Sequence, residues 1–166
     1  MSLLSWFSNE HTSHMNLALQ LAREGFEAGN GPAGAVIVLE KRVIGASSNR
    51  VFSEVDPTAH SELSAIREAC RRRKTLKLNG ATLYATIEPC PMCAMAALEA
   101  GIRNFVIGLR LDDLQSNMLG TYSLESLAAM VGREVNVIAG VRAEPIRELL
   151  FDALEKLGRN TVSPEE

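Results

Sequence analysis

Glu88-Pro89-Cys90-Pro91-Met92-Cys93 separates two kinds of structure. Ahead of it, Ala81 to Ile87 alternates in the manner of a strand, and Pro89 ends that strand because it has no N–H to give a ladder. Behind it, Pro91 to Ala100 reads as a helix with proline in its first turn and Gly101 as its stop. Working outward, Phe105 to Gly108 predicts a strand, Ser123 to Met130 a helix and Val135 to Ala139 a last strand. Pro145 opens a final helix that ends near Gly158. Upstream, Ala35 to Leu39 and Val43 to Ser47 form a hairpin about Glu40-Lys41, and Asn49 to Pro57 reads as loop. Thr58 is the expected N-cap of a helix carrying Leu63, Ile66 and Cys70 on one stripe. Thr12 or Ser13 is the expected cap of a first helix that runs to about Ala28, before the break Gly29-Asn30-Gly31-Pro32. Strands alternating with helices predict an α/β protein, a sheet with helices on its faces. The expected division is a tail over 1–13, one domain over 14–158 and a polar tail over 159–166.

At 166 residues, with 46% apolar and 22% charged, the chain has enough apolar material for one core, which excludes wholesale disorder. A net charge of -3 argues against a surface that grips a phosphate backbone everywhere. No apolar run approaches the roughly 18 residues needed to span a bilayer. Leu3, Leu4, Trp6 and Phe7 lack the basic flank and small-residue cleavage site of a signal peptide. A soluble, cytoplasmic protein in a reducing compartment is expected, and no membrane partner.

Three cysteines are too few, and odd in number, for a disulfide framework. Cys90 and Cys93, spaced C-x-x-C at a helix start, can turn both sulfurs toward one point, where the helix N-terminus favours thiolates. His60 also falls at a helix start. One imidazole and two thiolates make three ligands and leave a tetrahedral zinc with an open position, the mark of a catalytic site. Glu62 is the candidate base, provided that His60 sits at the helix edge and Glu62 in its first turn. A thioredoxin-like redox pair would leave His60 and Glu62 without a task. A structural zinc site would need a fourth ligand, for which His11, His14 and Cys70 are poorly placed. Cys70 reads as a core residue, and His11 and His14 as surface residues.

The pairing H-x-E with P-C-x-x-C, here His60-Ser61-Glu62 and Pro89 to Cys93, resembles the zinc-deaminase signature. With Asp56-Pro-Thr-Ala and Gly31-Pro-Ala-Gly-Ala-Val36, the chain from about His14 to Leu157 resembles the cytidine-deaminase superfamily. Its branch of guanine deaminases, tRNA adenosine deaminases and fungal-type cytosine deaminases is the nearest in pattern. The resemblance implies a three-layer α-β-α sandwich with a five-stranded mixed sheet, one zinc ion per chain on His60, Cys90 and Cys93, and assembly as a homodimer. It also implies that Glu62 carries a proton from the zinc water to a ring nitrogen and then to the leaving ammonia. By the same resemblance the Ala59 backbone lies beside the pocket and Asn49 bonds the base ring; a plain loop-turn asparagine is the alternative.

Specificity is where the chain departs from the pattern. Pro91-Met92 between the cysteines is similar to guanine deaminases, which makes guanine the first expected substrate within a class of small heterocycles. Ala33 and Glu99, however, stand where those enzymes usually carry phenylalanine and tryptophan. Glu99 is a candidate substrate contact or simply the polar face of its helix. Asp112 and Asp113 follow the fourth strand and are candidates for binding an exocyclic amine, or plain loop charge. The layout from Gly120 to Leu157 is similar to a tRNA adenosine deaminase, the alternative expectation; a cytosine deaminase is the second. Arg71-Arg72-Arg73-Lys74 is the compact basic run, and it reads as a solvated helix end rather than an RNA contact.

Overall fold

In Ala35-Val36-Ile37-Val38 every residue is buried, because alternate side chains enter two different cores. Ala35 and Ile37 of β1 (Gly34–Leu39) join Leu83 of β3 (Thr82–Ile87) and Phe105 and Ile107 of β4 (Asn104–Leu109) on one face. Val36 and Val38 join Tyr84 and Val106 on the other. The first face is covered by α3 (Ser61–Arg73) through Ala65, Ile66 and Ala69, by α4 (Pro91–Glu99) through Ala94, Ala97 and Leu98, and by α5 (Leu124–Met130) through Leu124 and Ala128. The second is covered by α1 (Leu3–Glu27) through Met15, Ala18, Leu19 and Ala22, and by α6 (Ala143–Asn160) through Ile146 and Leu149. The computed structural model, which describes residues 3–114 and 119–160, is therefore the expected three-layer α-β-α sandwich.

With β2 (Arg42–Ser48) and β5 (Asn136–Ala139), the five-stranded sheet has the order β2-β1-β3-β4-β5. β1 is antiparallel to both β2 and β3, whereas β3, β4 and β5 are parallel. The β1–β2 turn has positive φ at both Glu40 (51°) and Lys41 (63°), the twist that suits a two-residue hairpin. The parallel pairs need crossovers, and α4 and α5 supply them on one face.

Four local expectations change. α1 begins at Leu3 and not at Thr12 or Ser13, since no proline or early glycine interrupts the segment. Within 51–57, expected as loop, Val51–Glu54 forms a short helix, α2. α3 is capped by His60, because Asp56 Oδ1 accepts both the N–H (2.7 Å) and the hydroxyl (2.8 Å) of Thr58 and so draws Thr58 into a turn. His11 and His14 are not surface residues: His11 Nδ1 lies 2.9 Å from the Tyr84 hydroxyl, and the His14 ring is 5.0 Å from the Tyr84 ring. α6 extends to Asn160; the rest of the expected C-terminal tail lies outside the described residues. Among the described residues no helix is long and apolar enough to cross a membrane.

The helix that carries His60 and Glu62 is seated by contact with a glycine. A Cβ on Gly45 would stand 2.3 Å from the Ala65 carbonyl oxygen and 3.0 Å from the Ala69 methyl. Gly45→Ala is expected to cost about 1–3 kcal/mol, since α3 must lift from the sheet to admit it. Denaturant unfolding with the slope held constant measures this.

Candidate zinc centre

His60 and Cys90 occupy equivalent positions, each the N-cap of a helix on the same face of the sheet. Their carbonyls accept the first helical bonds, from Ser64 N–H (3.0 Å) and Ala94 N–H (2.9 Å). Neither side chain caps its own helix, so both are free to turn toward one point. His60 Nδ1 lies 3.7 Å from Cys90 Sγ, and with Cys93 Sγ, one turn into α4, the three ligand atoms lie within 4.8 Å of one another. Bonds of 2.0–2.3 Å to a tetrahedral ion place such atoms about 3.3–3.8 Å apart, so zinc fits with only a small closure of the trio.

The charges agree with the geometry. A hydrogen bond from Cys93, aided by His60, draws the Cys90 thiol down to about 4. The same bond to Cys90, together with burial, pushes the Cys93 thiol up. Two sulfurs this close resist a second negative charge, which is the repulsion that a dication removes. The contact with Cys90 raises His60. Glu62 sits in the first turn of α3 and is 7% exposed, with Ser61 Oγ donating to its Oε2 at 2.8 Å. Burial pushes its carboxyl up, as suits a group that takes and returns a proton.

A second buried carboxylate, two residues before Cys90, was not legible as a site residue. Glu88 accepts from Leu124 N–H (2.8 Å), Leu111 N–H (3.1 Å) and Arg110 Nη1 (3.2 Å). Arg110 in turn grips Glu125. Tyr122 donates its hydroxyl to the Pro89 carbonyl at 2.6 Å. Burial first, then the negative charges of Glu88, Cys90, Cys93 and Glu62, hold that phenol protonated. Segments 110–111 and 122–125 are thus tied to the turn that delivers Cys90. The one signal in the sequence is an acid at the end of an apolar strand. Glu88→Ala strands two backbone N–H groups and is expected to cost about 2–4 kcal/mol; thermal unfolding measures the loss.

The structure treats the remaining candidates unequally. Ala59 is fully buried beside His60, and its carbonyl accepts Arg50 N–H (3.0 Å). Asn49 stands at the neighbouring turn, its Oδ1 accepting Val51 N–H (3.1 Å). Asp112 and Asp113 are exposed and share a depression with Glu88 and Tyr122; Asp113 Oδ2 accepts Arg110 N–H (2.9 Å). Glu99 is not brought to the centre of its own chain. It is exposed at the far end of α4, about 13 Å along the axis from Cys90. Cys70 packs against the core, where burial raises its thiol.

One nitrogen, two sulfurs and a buried carboxylate at paired helix starts define the class, a zinc-dependent hydrolase with an open position. The chain belongs to the family described by the cytidine and deoxycytidylate deaminase zinc-binding region, which matches residues 8–109. It is a deaminase, hydrolysing C–N bonds of nucleobases or nucleosides. A tRNA-specific adenosine deaminase of Buchnera aphidicola subsp. Schizaphis graminum is 40% identical over 110 residues, covering 66% of this chain and 73% of that protein. Guanine deaminase of Bacillus subtilis is 45% identical over 84 residues, covering 50% of this chain and 54% of that protein. A solved structure from work on A-to-I editing by tRNA:A34 deaminases at the wobble position of transfer RNA superposes with a TM-score of 0.75 at 36% identity. It covers 84% of this chain and 99% of that one.

Proposed function

We propose that this deaminase converts adenosine to inosine in a tRNA anticodon, the alternative rather than the first of the two leading expectations. The observation that carries the reading is similarity to tRNA-specific adenosine deaminases across most of their own length. The guanine deaminase match spans little over half of its counterpart. Ala33 adds to this, since the phenylalanine surface that guanine deaminases usually carry there is absent.

His60, Cys90 and Cys93 would hold the zinc, which would supply an acidified water as nucleophile. Glu62 carries a proton from that water to N1 of the adenine ring and then to the amine at C6. The water oxygen adds to C6 as N1 takes the first proton; the hydroxyl so formed then gives its own proton, by way of Glu62, to the amine, the C6–N bond breaks, and ammonia leaves with the carbonyl in place. Ser61 holds Glu62 Oε2 in position for this transfer. Asn49 keeps its Nδ2 donor for the ring, its Oδ1 being engaged by Val51. A homodimer in the cytoplasm is part of the same reading.

Ammonia release from guanine, cytosine, adenine and their nucleosides, set against inosine formation in tRNA, tests the assignment. Turnover on tRNA with none on guanine is expected; turnover on guanine alone would return the protein to a small-molecule substrate.

A further inference from the structure

The basic run at the end of α3 does not simply point into solvent. Arg71 and Arg72 turn into a groove of about 720 Å³ that they share with Arg67, Arg50, Glu54 and Glu68. The groove lies between α2, the end of β2 and the outer side of α3. Two of its arginines are anchored: Arg50 by Glu54 (2.9 Å) and Arg72 by Glu68 (2.7 Å). Arg67 bonds the Thr58 hydroxyl (3.2 Å) near the Asp56 carboxylate, and neither it nor Arg71 makes an ion pair among the described residues.

The groove does not suit an added strand. Glu68 Oε2 already accepts Ala46 N–H at 2.8 Å, and Arg72 Nη1 reaches the Val43 carbonyl at 3.4 Å, so α3 closes the β2 edge. What remains open is positive charge. The groove wall is tied to the turn that delivers His60, since Arg50 N–H bonds the carbonyl of Ala59 (3.0 Å). Arg67 and Arg71 follow about 9 and 15 Å along the helix axis from Ser61. Unpaired cations along a groove are what proteins set against the phosphates of a single strand.

We propose that this groove binds the RNA backbone on one side of the target nucleotide, with Arg67 and Arg71 on phosphates. The proposal rests on the tRNA reading above. The test is tRNA binding by the zinc-loaded protein at several salt concentrations, comparing wild type with Arg67→Glu/Arg71→Glu and Arg67→Ala/Arg71→Ala. The alanine pair guards against misfolding from charge reversal, and zinc content and thermal midpoint are read for every variant. Both arginine pairs are expected to weaken tRNA binding about ten-fold or more, and to flatten the slope of log affinity against log salt by about 1.4, two single-strand phosphate contacts. Unchanged affinity and slope in the arginine pairs, with wild type making inosine in tRNA, would overturn the groove alone. Loss of self-association in place of RNA affinity would make it a subunit contact and overturn it too. If wild type makes no inosine in tRNA, the functional reading falls and the groove assignment with it.

Discussion

Glu62→Gln is expected to retain about one zinc per chain and to lose about 10²–10⁴-fold in kcat, or more. Glutamine keeps the volume of a side chain that is 7% exposed, and its carbonyl oxygen can still accept the Ser61 hydroxyl now 2.8 Å from Oε2. Folding and metal binding therefore have no reason to change. What disappears is a group able to accept a proton from water and pass it on. Burial favours the protonated carboxyl midway through that relay, and an amide has no equivalent state. Metal analysis and single-turnover rates on the same sample separate the two effects. Retained turnover would remove Glu62 from the proton path, and lost zinc would make it a structural residue.

Cys90→Ser is expected to lower zinc affinity at least about 100-fold, with activity falling in proportion to occupancy. The Cys90 thiol is drawn down to about 4, so it offers a thiolate at neutral pH without needing the metal to expel its proton. Serine offers a neutral hydroxyl on a shorter bond. Zinc also links α3 to α4, so its loss removes stability that is set by occupancy. A wild-type protein at 100 times its dissociation constant gains about 2.7 kcal/mol from the ion. A chelator should lower the unfolding midpoint of wild type and leave that of the variant unmoved. Equal shifts in both would place the stabilising metal elsewhere.

Legibility in the sequence followed the range of the interactions. The strand before Pro89 and the helix after it were readable because proline and a period of two act locally. The zinc trio was readable because C-x-x-C and H-x-E each fix a helix start, and a helix start fixes where a side chain can point. The sheet order was not readable from strand patterns alone, since they do not say that β1 lies between β2 and β3. Thr58 was misread as a cap because its hydroxyl suits either a cap or a turn, and Asp56, two residues earlier, decides between them. His11 and His14 were misread because their partner, Tyr84, is 73 residues from His11. Glu88 shows no task within its motif, since its donors arrive from 22 to 36 residues downstream. Glu99, nine positions beyond Cys90 on a straight helix, ends at its opposite pole, a distance that residue type alone does not convey.

The basic run shows the same limit. Four consecutive cations at a helix end satisfy the helix dipole, and sequence supplies no reason to ask more of them. The fold supplies that reason by setting Arg50 and Arg67 beside two of the four, along the helix that starts at the zinc centre.

The most direct test of the account is mass-spectrometric nucleoside analysis of an anticodon-arm RNA after incubation with zinc-loaded protein, with Glu62→Gln as control. Inosine appearing at one adenosine of the loop with wild type, and none with the control, is the predicted result. No inosine with wild type, alongside ammonia release from free guanine by the same sample, would contradict it.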